Sequence, residues 1–403
     1  MALDPEELKR RRAEKKRKRN RANVLYLVLA AVAVALLVAA IILLAGGREG
    51  PDPDETTAPV DTTVIYMAAA GDLNVTEKVI AAGGENYDYT EMMLDVAHLL
   101  ADADITALNF EGNFYGAPYG TDRSAPQALA DALARAGVDV LQLANTYSIY
   151  KGTAGLASTI NAVKLAGMEP LGVYATAKDA KEGKGYSIKV VQGIKIAFVG
   201  FTKGMDGMAL PPGSEGCVNV LYTDYATDYQ QVDTEGITKV LNAVAREKPD
   251  LTVAMVHWGS DFNDNISKSQ TAISRLMQEN GVDVILGTHP HYVQKMEFNR
   301  SAGTFVAYSL GDFVGDAARA GSEYSVILDL EITKNNATGE AKITNYSYTP
   351  IFTVSEKGAA LRVVRLEPAM AAYDEGFLDR VSQTVYEDMA YALERIEARV
   401  AGN

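Results

Sequence analysis

Residues 282–294 read VDVILGTHPHYVQ, an apolar run that stops at Gly287 and opens into two histidines separated by Pro290. A short β-branched run closed by glycine reads as a buried strand, and the proline fixes a turn directly after it. His289 and His291, two of the chain's four histidines, therefore leave at the carboxyl end of a strand. That placement is compatible with a tight turn alone and with half of a metal site.

The same pattern recurs along the chain. TVIYMAAAG (63–71), ITALNF (105–110), VDVLQLA (138–144), IKIAFVGF (194–201), LTVAMVHWG (251–259) and TFVAYSLG (304–311) read as further strands. PQALADALARAG (126–137), GLASTINAVKLAG (155–167) and ISKSQTAISRLMQENG (266–281) read as helices between them, each running to a glycine. Alternating strands and helices predict an α/β fold with a largely buried sheet. YSVILDLEIT (324–333) and AKITNYSYTPIF (341–352) look antiparallel, and 370–400 carries apolar residues at helical spacing.

In open α/β folds the ligand site gathers beyond the carboxyl ends of the strands. Polar residues collect there: Asp72 after the first run, Asn109 and Glu111 after ITAL, Asn145 and Thr146 after VLQLA, His257 after LTVAMV, and the 289/291 pair. Carboxylates, amides and three imidazoles suit one or two divalent ions, with Mn, Fe, Zn or Mg all open. His98 falls inside a helical stretch and reads as structural. The single Cys217 cannot form an intramolecular disulfide and reads as a small buried or loop residue.

Charge is unevenly spread over the 403 residues. Residues 1–23 hold ten Lys/Arg and four Asp/Glu, leaving 28 Lys/Arg against 48 Asp/Glu beyond. So acidic a body excludes nucleic acid as a partner, because phosphate affinity needs clustered cations. VLYLVLAAVAVALLVAAIILLA, residues 24–45, has 22 residues and no charge. At 1.5 Å per residue it spans roughly 33 Å, enough for a bilayer core. The basic flank places residues 1–23 in the cytoplasm and the body outside; LLAGG at 43–47 leaves a cleaved signal open. Residues 46–62 read as a flexible linker, 63–365 as one domain and 366–403 as a helical tail.

GDLNV (71–75), NFEGNF (109–114), ANTYSIYKG (144–152), HWGSDF (257–262), GTHPHYVQ (287–294) and YSLGDFVGD (308–316) follow one another as motifs do in the bacterial capsule-synthesis CapA family, associated with poly-γ-glutamate. The chain resembles that family over most of its body. The resemblance implies a calcineurin-like metallophosphatase fold, an α-β-β-α sandwich of two central sheets flanked by helices, here preceded by one transmembrane helix. It implies metal ligands at Asp72, Glu111, Asn145, Thr146, His257, His289 and His291. It also implies a role in making, exporting or retaining an anionic polymer outside the cell, with capsule-synthesis membrane proteins as partners. A metal-dependent hydrolase of a phosphoester or γ-linked amide at the cell surface, acting on a small substrate, is the alternative.

The chain departs from the family pattern in the ANTYSIYKG block. Thr146 replaces an Asn, and Tyr147 replaces the His that, in metallophosphatase-like sites, serves as proton donor or transition-state stabiliser. Tyr147 is thus the candidate catalytic residue, though a phenol near pKa 10 is a weaker acid than imidazolium near neutrality. Asp312 stands where the family has Asn.

Overall fold

The computed structural model describes residues 61–183, 185–356, 359–376 and 381–402. The expected anchor at 24–45, the basic segment before it and nearly all of the linker lie outside them. Among the described residues, no helix is long and apolar enough to cross a membrane.

Two sheets carry the fold. The first contains β1 (Thr62–Asn74), β2 (Ile105–Glu111), β3 (Val140–Gln142) and β4 (Glu169–Leu171), all mutually parallel in that order. The second contains β5 (Tyr186–Val191), β6 (Ile194–Thr202), β7 (Leu251–His257), β8 (Val284–Thr288), β9 (Met296–Asn299) and β10 (Thr304–Ala307), ordered β5-β6-β7-β8-β10-β9. β11 (Asp312–Val314) returns to the first sheet beside β1. β12 (Tyr324–Asn335), β13 (Ala341–Val354) and β14 (Arg362–Arg365) extend that sheet on the far side of β1, antiparallel as their sequences suggest.

Both faces of the second sheet are apolar, which is why its strands read as continuous runs. β6 turns Ile194, Ile196 and Phe198 toward the first sheet, and Ala197, Val199 and Phe201 toward the helices Thr234–Glu247 and Lys268–Glu279. The first sheet meets it with Ile65, Met67, Ile105 and Val140, and packs Leu108 and Leu141 against the helices Gln127–Arg135 and Gly152–Leu165. The product is a mixed α/β sandwich, with the two sheets inside and helices on either side. Each Leu, Ile or Phe so buried stabilises by roughly 1.5–3 kcal/mol. The second helix of the outer layer starts at a capping box, Ser267 with Gln270.

Two expected elements come out differently. TFVAYSLG is not one strand: β10 ends at Ala307, and the chain then crosses from the second sheet to the first. The crossing needs a close approach, because a Cβ on Gly71 would come within 1.8 Å of the Gly311 carbonyl oxygen. Among its described residues the tail holds two helices, Leu366–Asp374 and Gln383–Ala401, the second started by the Ser382 hydroxyl accepting the Val385 N–H. Its Met389, Ala392, Ile396 and Val400 join the core between the sheets. Cys217 is buried, which pushes its thiol pKa up, as for an inert core residue.

Burial also pushes half-buried Asp329, on β12, up to about 6. Its unfolded value is about 3.9. Between those values the folded chain holds the proton more tightly, so stability falls as pH rises through about 6. Asp329→Asn is expected to raise stability by about 1 kcal/mol at pH 7.5, solvent screening included, and to change nothing at pH 4. Urea midpoints at the two pH values check this.

Candidate metal centre

The carboxyl ends of both sheets meet at one place. Parallel pairing sets Asp72 beside Asn109 on one side and beside Asp312 on the other, with Asn74 opposite Glu111. In the second sheet His257 lies in register with Thr288. Asp72 joins the sheets: its carboxylate accepts the Asn109 amide at 2.5 Å and the His289 backbone N–H at 2.9 Å. His289 and His291 both adopt left-handed backbone, with φ of 91° and 57°. Such conformations are costly for non-glycine residues and collect at functional sites.

The side chains converge in three overlapping groups: Asp72, Glu111 and His257; Glu111, His289 and His291; and Asp72, His291 and Asp312, ligand atoms within each lying no more than 4.8 Å apart. His257 Nδ1 lies 3.1 Å from the Thr288 hydroxyl, which turns Nε2 toward Glu111 Oε1 at 3.0 Å and Thr146 Oγ1 at 2.9 Å. His291 Nδ1 is 2.7 Å from Asp312 Oδ1, and the His257 and His289 rings are 4.5 Å apart. Asp261, 59% exposed at its side chain, reaches His289 Nε2 at 3.1 Å from the loop after β7 and marks the mouth of the site.

Burial dominates the electrostatics. It raises the Asp72 pKa to about 7, with Glu111 adding like-charge repulsion, and it raises Glu111 and Asp312 as well. It lowers His257 to about 3 and His289 well below the usual range. Burial would lower His291 too, but Asp312, Glu111 and Asp72 outweigh it and lift that imidazole to about 10. Three acids and three imidazoles thus share a volume without water-like screening, an arrangement that favours a cation.

The model of the family described as "Bacterial capsule synthesis protein PGA_cap" matches residues 66–317, the segment that carries every residue of this cluster. The chain belongs to that family. Within it, this chain is similar to "Capsule biosynthesis protein CapA" of Bacillus anthracis, 27% identical over 299 residues that cover 70% of this chain and 68% of that protein. It is also similar to "PGA biosynthesis protein CapA" of Bacillus subtilis (strain 168), 24% identical over 287 residues, 70% of this chain and 71% of the other. Among solved structures, a phosphatase from Mycoplasma pneumoniae superposes with a TM-score of 0.47 at 12% identity, covering 73% of this chain and 96% of that one.

For this PGA_cap member the fit to a divalent cation can be tested on the residues themselves. Glu111 Oε1 and both ring nitrogens of His289 are buried without a hydrogen-bond partner. The neighbours of Glu111 Oε1 and His289 Nε2 stand close, at 3.0 and 3.1 Å, but poorly aligned for hydrogen bonds. Buried polar atoms left this way are expensive unless something else satisfies them. Carboxylate and imidazole donors fit a borderline divalent ion, and the residues present fit that group.

The expected ligands arrive differently. Asp72, Glu111, His257, His289 and His291 all enter the cluster. Thr146 reaches it through His257. Asn145 acts as a brace: its amide donates to the Phe110 carbonyl at 2.6 Å and its oxygen accepts the Tyr147 N–H at 3.0 Å. The Tyr147 hydroxyl accepts from Arg123 at 2.9 Å, with the guanidinium 4.4 Å over its ring. Burial raises the Tyr147 pKa and Arg123 opposes the rise. Sequence reading passed over Asp261 and gave Asp312 no role as a ligand. For Asp312 the signal was there, an acid where the family has Asn, but its neighbour Asp72 lies 240 residues away in sequence and on a strand reached only by the sheet crossing.

Proposed function

We propose that this chain serves a metal-dependent step in the synthesis, export or retention of a poly-γ-glutamate-type capsule polymer, on the calcineurin-like metallophosphatase scaffold its motifs imply. In this reading the body lies outside the cell, anchored through residues 24–45, and works beside capsule-synthesis membrane proteins. The observation that carries it is the buried acid and imidazole cluster inside the segment that matches the capsule-synthesis family. The names of the two relatives, capsule and PGA biosynthesis proteins, support the choice of polymer.

Asp72, Glu111, Asp312, His257, His289 and His291 would hold the cation. When bound, such an ion supplies Lewis acidity and a water of lowered pKa. The protein's own contribution is charge and orientation. Thr288 sets the His257 ring, Asp312 the His291 ring, and two half-buried cations border the cluster. Arg123 is one of these. Lys203, at the end of β6, is the other; it donates to the Gly259 carbonyl at 2.9 Å and its charge is felt by His257 and His289. These cations answer the repulsion that an acidic body would otherwise present to an anionic polymer.

Hydrolysis of a phosphoester or γ-linked amide is the second reading, favoured by two imidazoles held neutral beside carboxylates. Complementation tests the first reading. Cells lacking the gene are expected to lose surface polymer, to regain it with the wild-type chain, and not to regain it with His289→Ala. Wild-type protein that takes up no divalent ion under any loading condition would overturn both readings. Unchanged surface polymer in the deletion strain would sink the first alone, and turnover of a phosphoester by the loaded protein would favour the second.

A further inference from the structure

The helix Gln383–Ala401 lies beyond residue 317, where the family match ends, yet it touches both loops of the metal centre. Arg399 is only 8% exposed on a helix whose other inward residues are apolar. Its Nη2 lies 3.2 Å from Asp264 Oδ2, and Arg395 Nη2 reaches the same oxygen at 3.3 Å. The Arg399 guanidinium also sits 4.8 Å over the ring of Tyr292 and 5.3 Å over that of Tyr324. Arg399 Nε and Nη1 are buried without hydrogen-bond partners. An apolar residue would suit such a place better on stability alone, because a buried, incompletely paired charge is costly.

What the arginines touch explains their presence. Asp264 belongs to the loop that carries Asp261 and Phe262, and Tyr292 directly follows His291. Phe262 stacks on the His291 ring at 5.0 Å and meets Tyr292 edge-on at 5.9 Å. Its N–H donates to the Pro290 carbonyl at 2.9 Å, and Gln294 donates to the carbonyls of Asn263 and Asn265. Phe262, His289 and His291 all hold left-handed backbone. Such strain persists only where the surroundings over-determine it. The histidine loop is also held from the sheets, by Asp72 at the His289 N–H and Asp312 at the His291 ring; the arginines add a tie at Asp264, on the other loop, and at the Tyr292 ring.

We propose that Arg399, assisted by Arg395, is a positioning residue that fixes the Phe262–His291–Tyr292 stack through Asp264 and Tyr292, so that the C-terminal helix is a working part of the metal centre. This rests on the metal reading of the site. The metal half of the test uses the full chain and Co²⁺, with Arg399→Gln, Arg399→Lys and, as a control for helix stability, Ala392→Gly at a buried core position of the same helix. Arg399→Gln is expected to weaken Co²⁺ binding roughly tenfold, as loss of a supporting partner does, and to shift the visible spectrum of the bound ion. Lysine, which keeps the charge beside Asp264, is expected to recover part of the affinity. Ala392→Gly is expected to lower thermal stability with Co²⁺ affinity and spectrum unchanged. Wild-type affinity and spectrum in Arg399→Gln, or the same losses in Ala392→Gly, would overturn the proposal.

Amide exchange on the metal-free proteins separates this from the site reading. Faster exchange confined to residues 259–265 and 289–294 in Arg399→Gln sustains the clamp even if the wild type binds no Co²⁺, a result that would remove the metal reading instead. Unchanged exchange there sinks the clamp whatever the metal does.

Discussion

Glu111→Gln is expected to make the metal-free protein more stable while removing its response to divalent cations. Glu111 is buried and its pKa is raised, first by desolvation, so the folded state disfavours its charge. The unfolded chain releases that proton near pH 4.3. A carboxyl whose folded pKa is raised costs stability at every pH above its unfolded value, and the amide, of the same shape, carries no such cost. It also relieves the repulsion that Glu111 exerts on Asp72 and Asp312. At pH 7.5 without metal the variant is therefore expected to be the more stable of the two. Wild-type protein should in turn gain about 2.7 kcal/mol at a cation concentration 100 times its Kd. The variant should lose affinity by more than about 100-fold, since even supporting partners cost 10–100-fold. Thermal melts with chelator and with Mn²⁺ read both effects. A variant less stable than wild type in chelator, or equally stabilised by Mn²⁺, contradicts the assignment of Glu111.

Replacing both Arg123 and Lys203 by Gln is expected to abolish binding of a γ-linked glutamate oligomer while leaving metal content intact. Each cation is already aimed: Arg123 is fixed by Tyr147 and the Val75 carbonyl, and Lys203 by Gly259 and the ring of Tyr229 at 5.0 Å. Little side-chain entropy is left to lose when an anion arrives. Hydrogen bonds to charged groups contribute roughly 1.5–3 kcal/mol each, so losing two corresponds to about 10²–10⁴ in affinity. Binding by the wild type should weaken with salt, and the double variant should lose most of that dependence. Titration of the oligomer at two salt concentrations, with metal analysis of the same samples, checks it. Wild-type affinity in the double variant would put the polymer site away from Arg123 and Lys203.

Much of this was legible in the chain. Runs such as IKIAFVGF and LTVAMV are apolar on both faces, and only a sheet covered on both sides accommodates that. Because parallel strands of a sheet end at a common edge, Asp72 with Glu111, and His257 with His289 and His291, could each be gathered from sequence; that the edges of two different sheets meet was not readable there. The motif order around them led to the capsule-synthesis family, which the match over residues 66–317 bears out.

Other features had no local signal. TFVAYSLGDF looks like one strand because its hydrophobicity does not record that the chain changes sheets at Gly311; that depends on glycines at 71 and 311 meeting across the fold. Asp312 became a neighbour of Asp72 only through that crossing. Asn145 reads as a site residue from its position after a strand, and its further ties to the Phe110 carbonyl and the Tyr147 N–H come from backbone groups that only the folded loop brings near. The helix at 383–401 shows its helical period plainly, while nothing in that period tells where Arg399 will land.

The α/β class, the strand ends that carry the acids and imidazoles, and the family are all written in the chain. Periodicity and strand ends are local properties, set by each residue's own backbone and its nearest neighbours. Which of those groups face one another, which way burial moves their pKa values, and which distant arginines reach the loops follow only from the closed fold. Those are properties of pairs, and a pair's distance and dielectric surroundings exist only once the chain has closed around it.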